Sequence, residues 1–332
     1  MKLRRLDLGI AARGGIGLLY FRDGVTLARM GSTPEVVFYD QPAQFLDRAG
    51  DRLAADPVVS TVISTVAARM ARSSSAAPMS PYSWFAVVVY LTGEIAGVAM
   101  RTAPFAPYPP YLLTMPDAAA VALADALLDR GEEVGGANGA LPATRVFAER
   151  IAERVGGAVE VSMHTRLFEL GTLVDPAPAR GRLRQAYDDE APLVLEWFHQ
   201  FHADADEQAG HAGHSDRADG TTLEDVRERI RLGRTWMWVD DSDTPRHLTG
   251  ANPPAYGVAR IGPVFTPQEH RGRGYASAAV AEVSRYLRAE GSRVTLFTDQ
   301  ANPTSNRIYL ALGFEPVVDM VDLAVRQVDA RP

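Results

Sequence analysis

Residues 270–276 read His-Arg-Gly-Arg-Gly-Tyr-Ala, and an amphipathic segment begins directly behind them. Apolar residues at helical spacing, such as Val280, Val283 and Leu287, predict a helix over 275–290 that packs on a sheet. A helix N-terminus presents amide groups without partners and carries partial positive charge. Glycines let a phosphate approach those amides closely, and the two arginines add charged donors. The stretch therefore predicts a pyrophosphate-binding turn, although an ordinary glycine-rich turn would have the same composition.

The segment before this turn favours the ligand-binding interpretation. Residues 256–266 predict a strand, so the turn follows the carboxyl end of a strand, where open α/β sheets bind ligands. Gly262-Pro263 interrupts that strand and predicts a bulge that makes room beside it. The turn is neither a Walker loop nor a dinucleotide fingerprint, because Gly-Lys-Ser/Thr and Gly-x-Gly-x-x-Gly are both absent.

A second motif lies about one strand and one helix further on. Residues 302–314 read Asn-Pro-Thr-Ser-Asn-Arg-Ile-Tyr-Leu-Ala-Leu-Gly-Phe and predict a helix with proline at its first position and glycine after its end. The two motifs, in this order and spacing, resemble those of the GNAT (GCN-five-related N-acetyltransferase) family. Arg271, Gly274 and Ala276 fit the cofactor motif of that family, and residues 264–267 fit the end of its fourth strand.

The resemblance implies an α/β fold with a mixed, mostly antiparallel central sheet flanked by helices. It covers about 183–325, so residues 183–332 are expected to form a catalytic GNAT domain. Residues 33–175 are expected to form a degenerate copy of that fold, joined through a linker at 176–182. Residues 1–32 could be a leader. The arrangement is architecturally similar to tandem members of the family such as mycothiol synthase.

The resemblance also implies acetyl-CoA as co-substrate. Its pyrophosphate would lie on Arg271, Gly272, Arg273, Gly274, Tyr275 and Ala276. Its pantetheine arm would lie between strands 256–266 and 294–298 like an added strand, with Asn302 and Ser305 bonded to it. Val264, Phe265 and Thr266 complete the expected cofactor set. A backbone amide near Val264 or Phe265 would stabilise the oxyanion that forms when an amine attacks the thioester.

The resemblance further implies that Tyr309 is the general acid, and a phenol of pKa ~10 is a suitable proton donor to a departing thiolate. The alternative is that Tyr309 only packs its helix against the sheet. The general base is less evident, because strand 256–266 has no carboxylate. Asp299 is the nearest candidate in sequence. The alternatives are that Asp299 is a turn residue and that a water chain removes the proton. Direct transfer to the amine is expected, because the chain has no cysteine to acylate.

Composition limits the remaining possibilities. The length of 332 residues suggests two domains, and the absence of cysteine excludes disulfides and thiolate metal sites. The net charge of −7 argues against nucleic-acid binding, and no apolar run approaches a membrane span. We expect a cytoplasmic monomer or homodimer without a metal. The acceptor amine and the preferred acyl chain are left open, and a non-catalytic acyl-CoA-binding or sensing protein is the alternative function.

Three further stretches invite interpretation. His199, His202, His211 and His214 could suggest a metal site, but a solvated lid beside the acceptor site is favoured. Replacing Asp204, Asp206 and Glu207 in this lid is expected to alter the KM of the acceptor and not that of acetyl-CoA. Glu196 and Trp197 are also expected to influence acceptor choice.

Two tryptophans and a glycine-rich stretch complete the sequence-based predictions. Trp236 and Trp238 predict core packing, with an aromatic wall for the acceptor as the alternative. Residues 135–139 predict a glycine-rich loop.

Overall fold

The computed structural model describes residues 19–21, 24–26, 34–72, 82–102, 106–208 and 221–327. The first two ranges are the strands β1 (Leu19–Phe21) and β2 (Gly24–Thr26), which pair with each other in an antiparallel hairpin. Most of the possible leader at 1–32 therefore lies outside the described residues.

The remaining elements repeat one order twice. The N-terminal half consists of β3 (Glu35–Tyr39), α1 (Pro42–Ala55), α2 (Thr61–Arg72), β4 (Trp84–Val89), β5 (Ile95–Arg101), β6 (Tyr111–Leu112), α3 (Asp117–Asp129), β7 (Gly136–Ala140), α4 (Ala143–Val155) and β8 (Gly157–Leu170). The C-terminal half consists of β9 (Arg182–Gln185), α5 (Ala191–Gln208), α6 (Leu223–Arg231), β10 (Thr235–Val239), β11 (Pro245–Ala251), β12 (Val258–Phe265), α7 (Tyr275–Ala289), β13 (Arg293–Asp299), α8 (Pro303–Ala311) and β14 (Phe314–Gln327).

The two halves share one sheet of twelve strands, in the order β3-β4-β5-β6-β7-β14-β8-β13-β12-β11-β10-β9. Each half gives its last strand to the other, since β14 pairs with β7 and β8 pairs with β13. The two exchanged strands also pair with each other along most of their length. Within this sheet only β6–β7 and β12–β13 are parallel. The prediction of a mixed, mostly antiparallel sheet flanked by helices is thereby confirmed.

The helices cover both faces of the sheet. Apolar side chains of α3 and α4 pack on the N-terminal half, and those of α7 and α8 pack on the same face of the C-terminal half. The other face is covered by α1 and α2 in the N-terminal half and by α5 and α6 in the C-terminal half. We call these the α7/α8 face and the α2/α6 face. A cluster that includes Val58, Leu167 and Val258 joins the halves on the α2/α6 face.

Two sequence-based predictions of local structure are wrong. Residues 135–139 do not form a loop, because Gly136–Ala140 is strand β7 between β6 and β14. At Gly139 a Cβ atom would stand 2.1 Å from the carbonyl oxygen of Leu112, so glycine is required by the close approach of two backbones. Asp204, Asp206 and Glu207 were predicted to lie in a lid, but helix α5 continues to Gln208 and includes all three positions.

Among the described helices, none combines the length and the apolar composition that crossing a bilayer would require.

Candidate active site

The site is built around a split between β12 and β13. The two strands pair in parallel from Val258 with Arg293 to Ile261 with Leu296, and they are not paired beyond that point. On its other side β12 keeps pairing with β11. At Gly262-Pro263 the register shifts, because these two residues of β12 lie opposite a single residue of β11. The predicted bulge is therefore confirmed. It bends β12 away from β13 and leaves a gap that opens towards the start of α7.

The turn from β12 into α7 presents a row of free amides. Gly272 and Gly274 have φ angles of 75° and 81°, in the left-handed region that favours glycine. The first helical hydrogen bond runs from the amide of Ala278 to the carbonyl of Gly274. Within the described residues, no acceptor receives a hydrogen bond from the six amides of 272–277. Residues 271–274 are exposed, so these donors and the helix dipole face solvent where a phosphate could approach.

Tyr309 lies at the apex of the split. It is 7% exposed and shares an apolar cluster with Ile261 and Leu296, the last paired residues of the two strands, and Val264 packs against the same cluster. Its hydroxyl makes no hydrogen bond within the described part of the chain. Burial raises the pKa of the Tyr309 phenol above its ordinary value, so the phenol is protonated at neutral pH. It is therefore in the state that a proton donor needs.

Comparison with known proteins identifies this architecture. Residues 253–321 match the family model described as FR47-like protein. Three solved structures overlay most of the chain. An acetyltransferase from the GNAT family of Colwellia psychrerythraea is 12% identical, with 88% of this chain and 99% of that chain covered and a TM-score of 0.51. A GCN5-related N-acetyltransferase from Sphaerobacter thermophilus is 18% identical (87% and 95% covered, TM-score 0.51), and a tandem GNAT protein from the clavulanic acid biosynthesis pathway is 17% identical (90% and 100% covered, TM-score 0.53). This chain has the GNAT fold. The resemblance inferred from the two motifs is thus confirmed, while a search of curated proteins gives no match.

The two arginines of the turn at 270–276 are held by neighbouring groups. Arg271 donates from Nε to the carbonyl of Thr266 at 2.9 Å and forms an ion pair with Asp204 at the end of α5. Arg273 donates to the carbonyl of Glu269 at 3.1 Å. Asp204 thus contacts the turn at 270–276 that is predicted to hold the pyrophosphate, and its expected effect on the acceptor alone stays a prediction. The side chains of Asp206 and Glu207 lie outside the described residues.

The residues at the start of α8 have structural roles of their own. Asn302 caps the helix, since its Oδ1 accepts from the amide of Ser305 at 3.0 Å. Asp299 closes a turn, since its Oδ1 accepts from the amide of Ala301 at 2.8 Å. By strand alternation Asp299 shares the α2/α6 face with Phe297, opposite α8. The turn contact favours the structural interpretation of Asp299, and its role as a base stays a prediction.

The aromatic side chains near the site pack into cores. Phe265 faces α5 and lies 6.1 Å from the ring of Trp197, so only its backbone can reach the split. Tyr275 lies 6.4 Å from the ring of Trp238 beneath the first turn of α7. Trp236 and Trp238 are each 3% exposed and pack against α7, which confirms core packing and rules out an aromatic wall.

A buried histidine beneath the turn at 270–276 was missed by sequence reasoning. His247 on β11 is fully buried, with Nδ1 2.7 Å from Oγ1 of Thr266 and Nε2 2.7 Å from Oγ1 of Thr249. Burial lowers the pKa of the imidazole to about 3, so the ring is neutral. It fixes Thr266 directly before the turn. Its signal in the sequence is weak, because a single histidine in an apolar strand is equally consistent with ordinary core packing.

The histidine cluster gives no metal site in the described part of the chain. His199 is exposed on α5, the side chain of His202 lies outside the described residues, and so do His211 and His214. Across the ranges that the structure describes, no three histidine or acidic side chains are arranged to hold a metal ion.

Proposed function

We propose that this protein is an N-acetyltransferase that moves the acetyl group of acetyl-CoA directly to a primary amine. The observation that carries this proposal is the row of free amides at 272–277 directly beside the split that ends at Tyr309. The diphosphate of acetyl-CoA would accept hydrogen bonds from those amides. Its pantetheine arm would lie in the gap between β12 and β13, where each strand leaves one edge without a partner strand. The GNAT fold and its transferase relatives support this assignment.

The reaction follows from the groups around the split. The amine nitrogen attacks the thioester carbon, and the carbonyl oxygen takes up negative charge. Successive amides of a strand point to opposite edges, so one of the Val264 and Phe265 amides faces β11 and the other faces the split. The amide that faces the split would stabilise the oxyanion. When the carbon–sulfur bond breaks, Tyr309 would protonate the thiolate, and the amine proton would leave to water or to Asp299.

The N-terminal half would be a copy that has lost the cofactor site. Its equivalent of the phosphate-binding turn joins β6 to α3 and reads Thr-Met-Pro from residue 114 to residue 116. It contains neither glycine nor arginine, and Asp117 places a negative charge in the first turn of α3, where it would repel a phosphate. Helix α4 has no tyrosine to match Tyr309. A single site for acetyl-CoA is therefore expected.

Binding of acetyl-CoA tests the proposal, with two matched variants. Gly272 and Gly291 lie before and after α7, have φ angles of 75° and 85°, and have open space around the position of a Cβ atom. Both Gly272→Ala and Gly291→Ala should therefore cost about 1 kcal/mol of stability from backbone strain. Only Gly272→Ala should weaken acetyl-CoA binding in calorimetry, by about tenfold. Equal affinities for the two variants, or no heat of binding for the wild-type protein, would refute the assigned site.

A protein that binds acyl-CoA without turnover is the second candidate. It is favoured by one observation, since the Asp299 carboxylate is occupied in a turn and β12 has no carboxylate. Incubation with acetyl-CoA and a panel of amines, with release of the CoA thiol as readout, separates the two. Turnover with any amine supports the enzyme, and tight binding without turnover supports the sensor.

A further inference from the structure

An ion pair joins the end of α5 to the turn at 270–276. Nη2 of Arg271 donates to Oδ2 of Asp204, although 67 residues separate the two side chains in the sequence. Nε of the same guanidinium donates to the backbone carbonyl of Thr266 at 2.9 Å, which holds the guanidinium at the end of β12. In the proposed function this arginine binds the diphosphate of acetyl-CoA. A carboxylate therefore contacts the guanidinium that the diphosphate would use.

Helix α5 carries Asp204 to this position through its packing face. The rings of Trp197 and Phe265 lie 6.1 Å apart in the core between α5 and β12. Asp204 follows Trp197 by two helical turns, so both side chains project from the same side of α5. A helix that is anchored in the core, and not a loop, thus places the carboxylate at the end of β12.

The contact between Asp204 and Arg271 is exposed enough to be exchanged for another anion. The two side chains are 37% and 46% exposed. Ion pairs with this exposure add little to stability, because water screens the charges and both side chains lose conformational freedom. A diphosphate carries more negative charge than one carboxylate, and it also accepts hydrogen bonds from the free amides of 272–277. The diphosphate should therefore displace Asp204 from Arg271.

Arg273, the second arginine of the turn, has a different partner. It donates to the backbone carbonyl of Glu269 at 3.1 Å, and this acceptor is uncharged. Arg271 is thus the arginine of the turn whose positive charge is offset by Asp204. The two arginines can be compared within one turn, because an effect of Asp204 on a bound phosphate should act through Arg271.

We infer that Asp204 is a built-in competitor of acetyl-CoA: its carboxylate occupies Arg271 while no donor is bound, and the diphosphate displaces it. This inference rests on the proposed function. Displacement separates the last turn of α5 from the turn at 270–276, so binding of the donor loosens the end of that helix. The sequence-based prediction differs, since there Asp204 affects the acceptor and leaves the KM of acetyl-CoA unchanged. Measurements on Asp204 variants decide between the two.

The affinity for acetyl-CoA gives the first test. Asp204→Asn keeps the size of the side chain and removes its charge. In calorimetry at low salt, the Kd of acetyl-CoA should fall about fivefold, because the diphosphate no longer competes with a carboxylate for Arg271. The melting temperature of the free protein should stay within roughly 2 °C of the wild type or fall. A residue with a merely structural role would not bind the donor more tightly when replaced.

The matched control removes a carboxylate from the other end of α5. Asp189 is exposed in the short turn directly before that helix, so Asp189→Asn should leave the Kd of acetyl-CoA within about 1.5-fold of the wild type. An unchanged or higher Kd for Asp204→Asn would overturn the inference. If only the KM of the acceptor changes, the sequence-based prediction stands in its place.

Double variants show whether Asp204 acts through Arg271. Arg271→Gln and Arg273→Gln should each weaken acetyl-CoA binding, by about tenfold. Adding Asp204→Asn should restore about fivefold in the Arg273→Gln background and less than about twofold in the Arg271→Gln background. An equal gain in both backgrounds would show a general effect of negative charge and contradict the exchange at Arg271.

Hydrogen exchange follows the end of α5. The amides of 204–208 should exchange faster in the wild type when acetyl-CoA is added, and Asp204→Asn should show the faster exchange without the donor. Exchange that is unchanged by the donor in the wild type would refute the displacement.

Two outcomes keep this inference separable from the proposed function. If the wild type binds acetyl-CoA and Asp204→Asn binds it equally well, the proposed function stands and the competitor falls. If the wild type does not bind acetyl-CoA, the proposed function falls, and inorganic pyrophosphate serves as the probe. A larger rise in melting temperature with pyrophosphate for Asp204→Asn than for the wild type would still support exchange at Arg271; equal rises, or none, would overturn it.

Discussion

At the scale of single residues, Tyr309 and His247 illustrate how burial sets protonation. Both rings lie in apolar surroundings on the α7/α8 face, and burial favours the neutral form of each. For a phenol this means a raised pKa, and for an imidazole it means a lowered one. The Tyr309 phenol thus stays protonated, as the proposed proton donor must, and the neutral His247 ring keeps a charge out of the core beneath the turn at 270–276.

Tyr309→Phe tests the first of these roles. The substitution removes a hydroxyl without a hydrogen-bond partner in the described residues, so the free energy of unfolding should change by less than about 0.5 kcal/mol. The kcat of acetyl transfer should fall by about 100-fold, and the KM of acetyl-CoA should be unchanged. Steady-state kinetics beside urea denaturation gives both quantities. An unchanged kcat would exclude Tyr309 as the acid.

His247 predicts a dependence of stability on pH. Its pKa is about 3 in the folded protein and ~6.5 in the unfolded chain, so between these values the unfolded state binds more protons. The contribution of the neutral His247 ring to the free energy of unfolding is fully present above pH ~6.5 and is lost as the pH falls towards 3. At pH 5 the loss should be roughly 2 kcal/mol. Urea denaturation from pH 7 to pH 5 should show a smaller decline for His247→Gln than for the wild type; identical declines would contradict the prediction.

At the scale of elements, the sequence predicts best where local chemistry decides the conformation. The turn at 270–276 and the cap of α8 follow from glycines, proline and asparagine acting on their own neighbours. Strand β7 could not be predicted in this way, because Gly139 is required by the close approach of the β6 backbone, which comes from 27 residues earlier in the chain. The contact between Asp204 and Arg271 was equally out of reach, since 67 residues separate the partners.

The close approach of β6 and β7 predicts a large cost for Gly139→Ala. The added methyl group would stand 2.1 Å from the carbonyl oxygen of Leu112, and neither backbone can move without breaking the sheet. The free energy of unfolding should fall by more than about 3 kcal/mol. Gly93→Ala is the control, because Gly93 also has a positive φ of 85° but has open space around it, and it should lose only about 1 kcal/mol. Urea denaturation compares them, and equal losses would show that strain at φ alone is responsible.

At the scale of the whole molecule, the exchange of β8 and β14 makes the halves interdependent. Without β8, strand β13 has no partner on the side away from the split, and without β14, strand β7 has none beyond β6. Both strands line the middle of the sheet. The repeated order of elements suggests two units, but the pairing of strands predicts one folding unit.

Expression of the halves tests this interdependence. Residues 1–175 or 176–332 produced alone should be insoluble or unfolded, because each lacks the strand that covers an inner edge of its sheet. Coexpression of the two pieces should restore a soluble complex that binds acetyl-CoA. The intact chain should unfold in one cooperative transition, as followed by calorimetry. A soluble C-terminal piece with native circular dichroism and acetyl-CoA affinity would show that the halves are independent.

The position of β14 at 314–327 has a consequence for biosynthesis. The N-terminal half leaves the ribosome first, yet the strand that completes its sheet is translated more than 150 residues after β7. Until then β7 has one edge without a partner strand. Final assembly of this half therefore waits for β14, and the nascent chain depends on protection of that edge until β14 has left the ribosome.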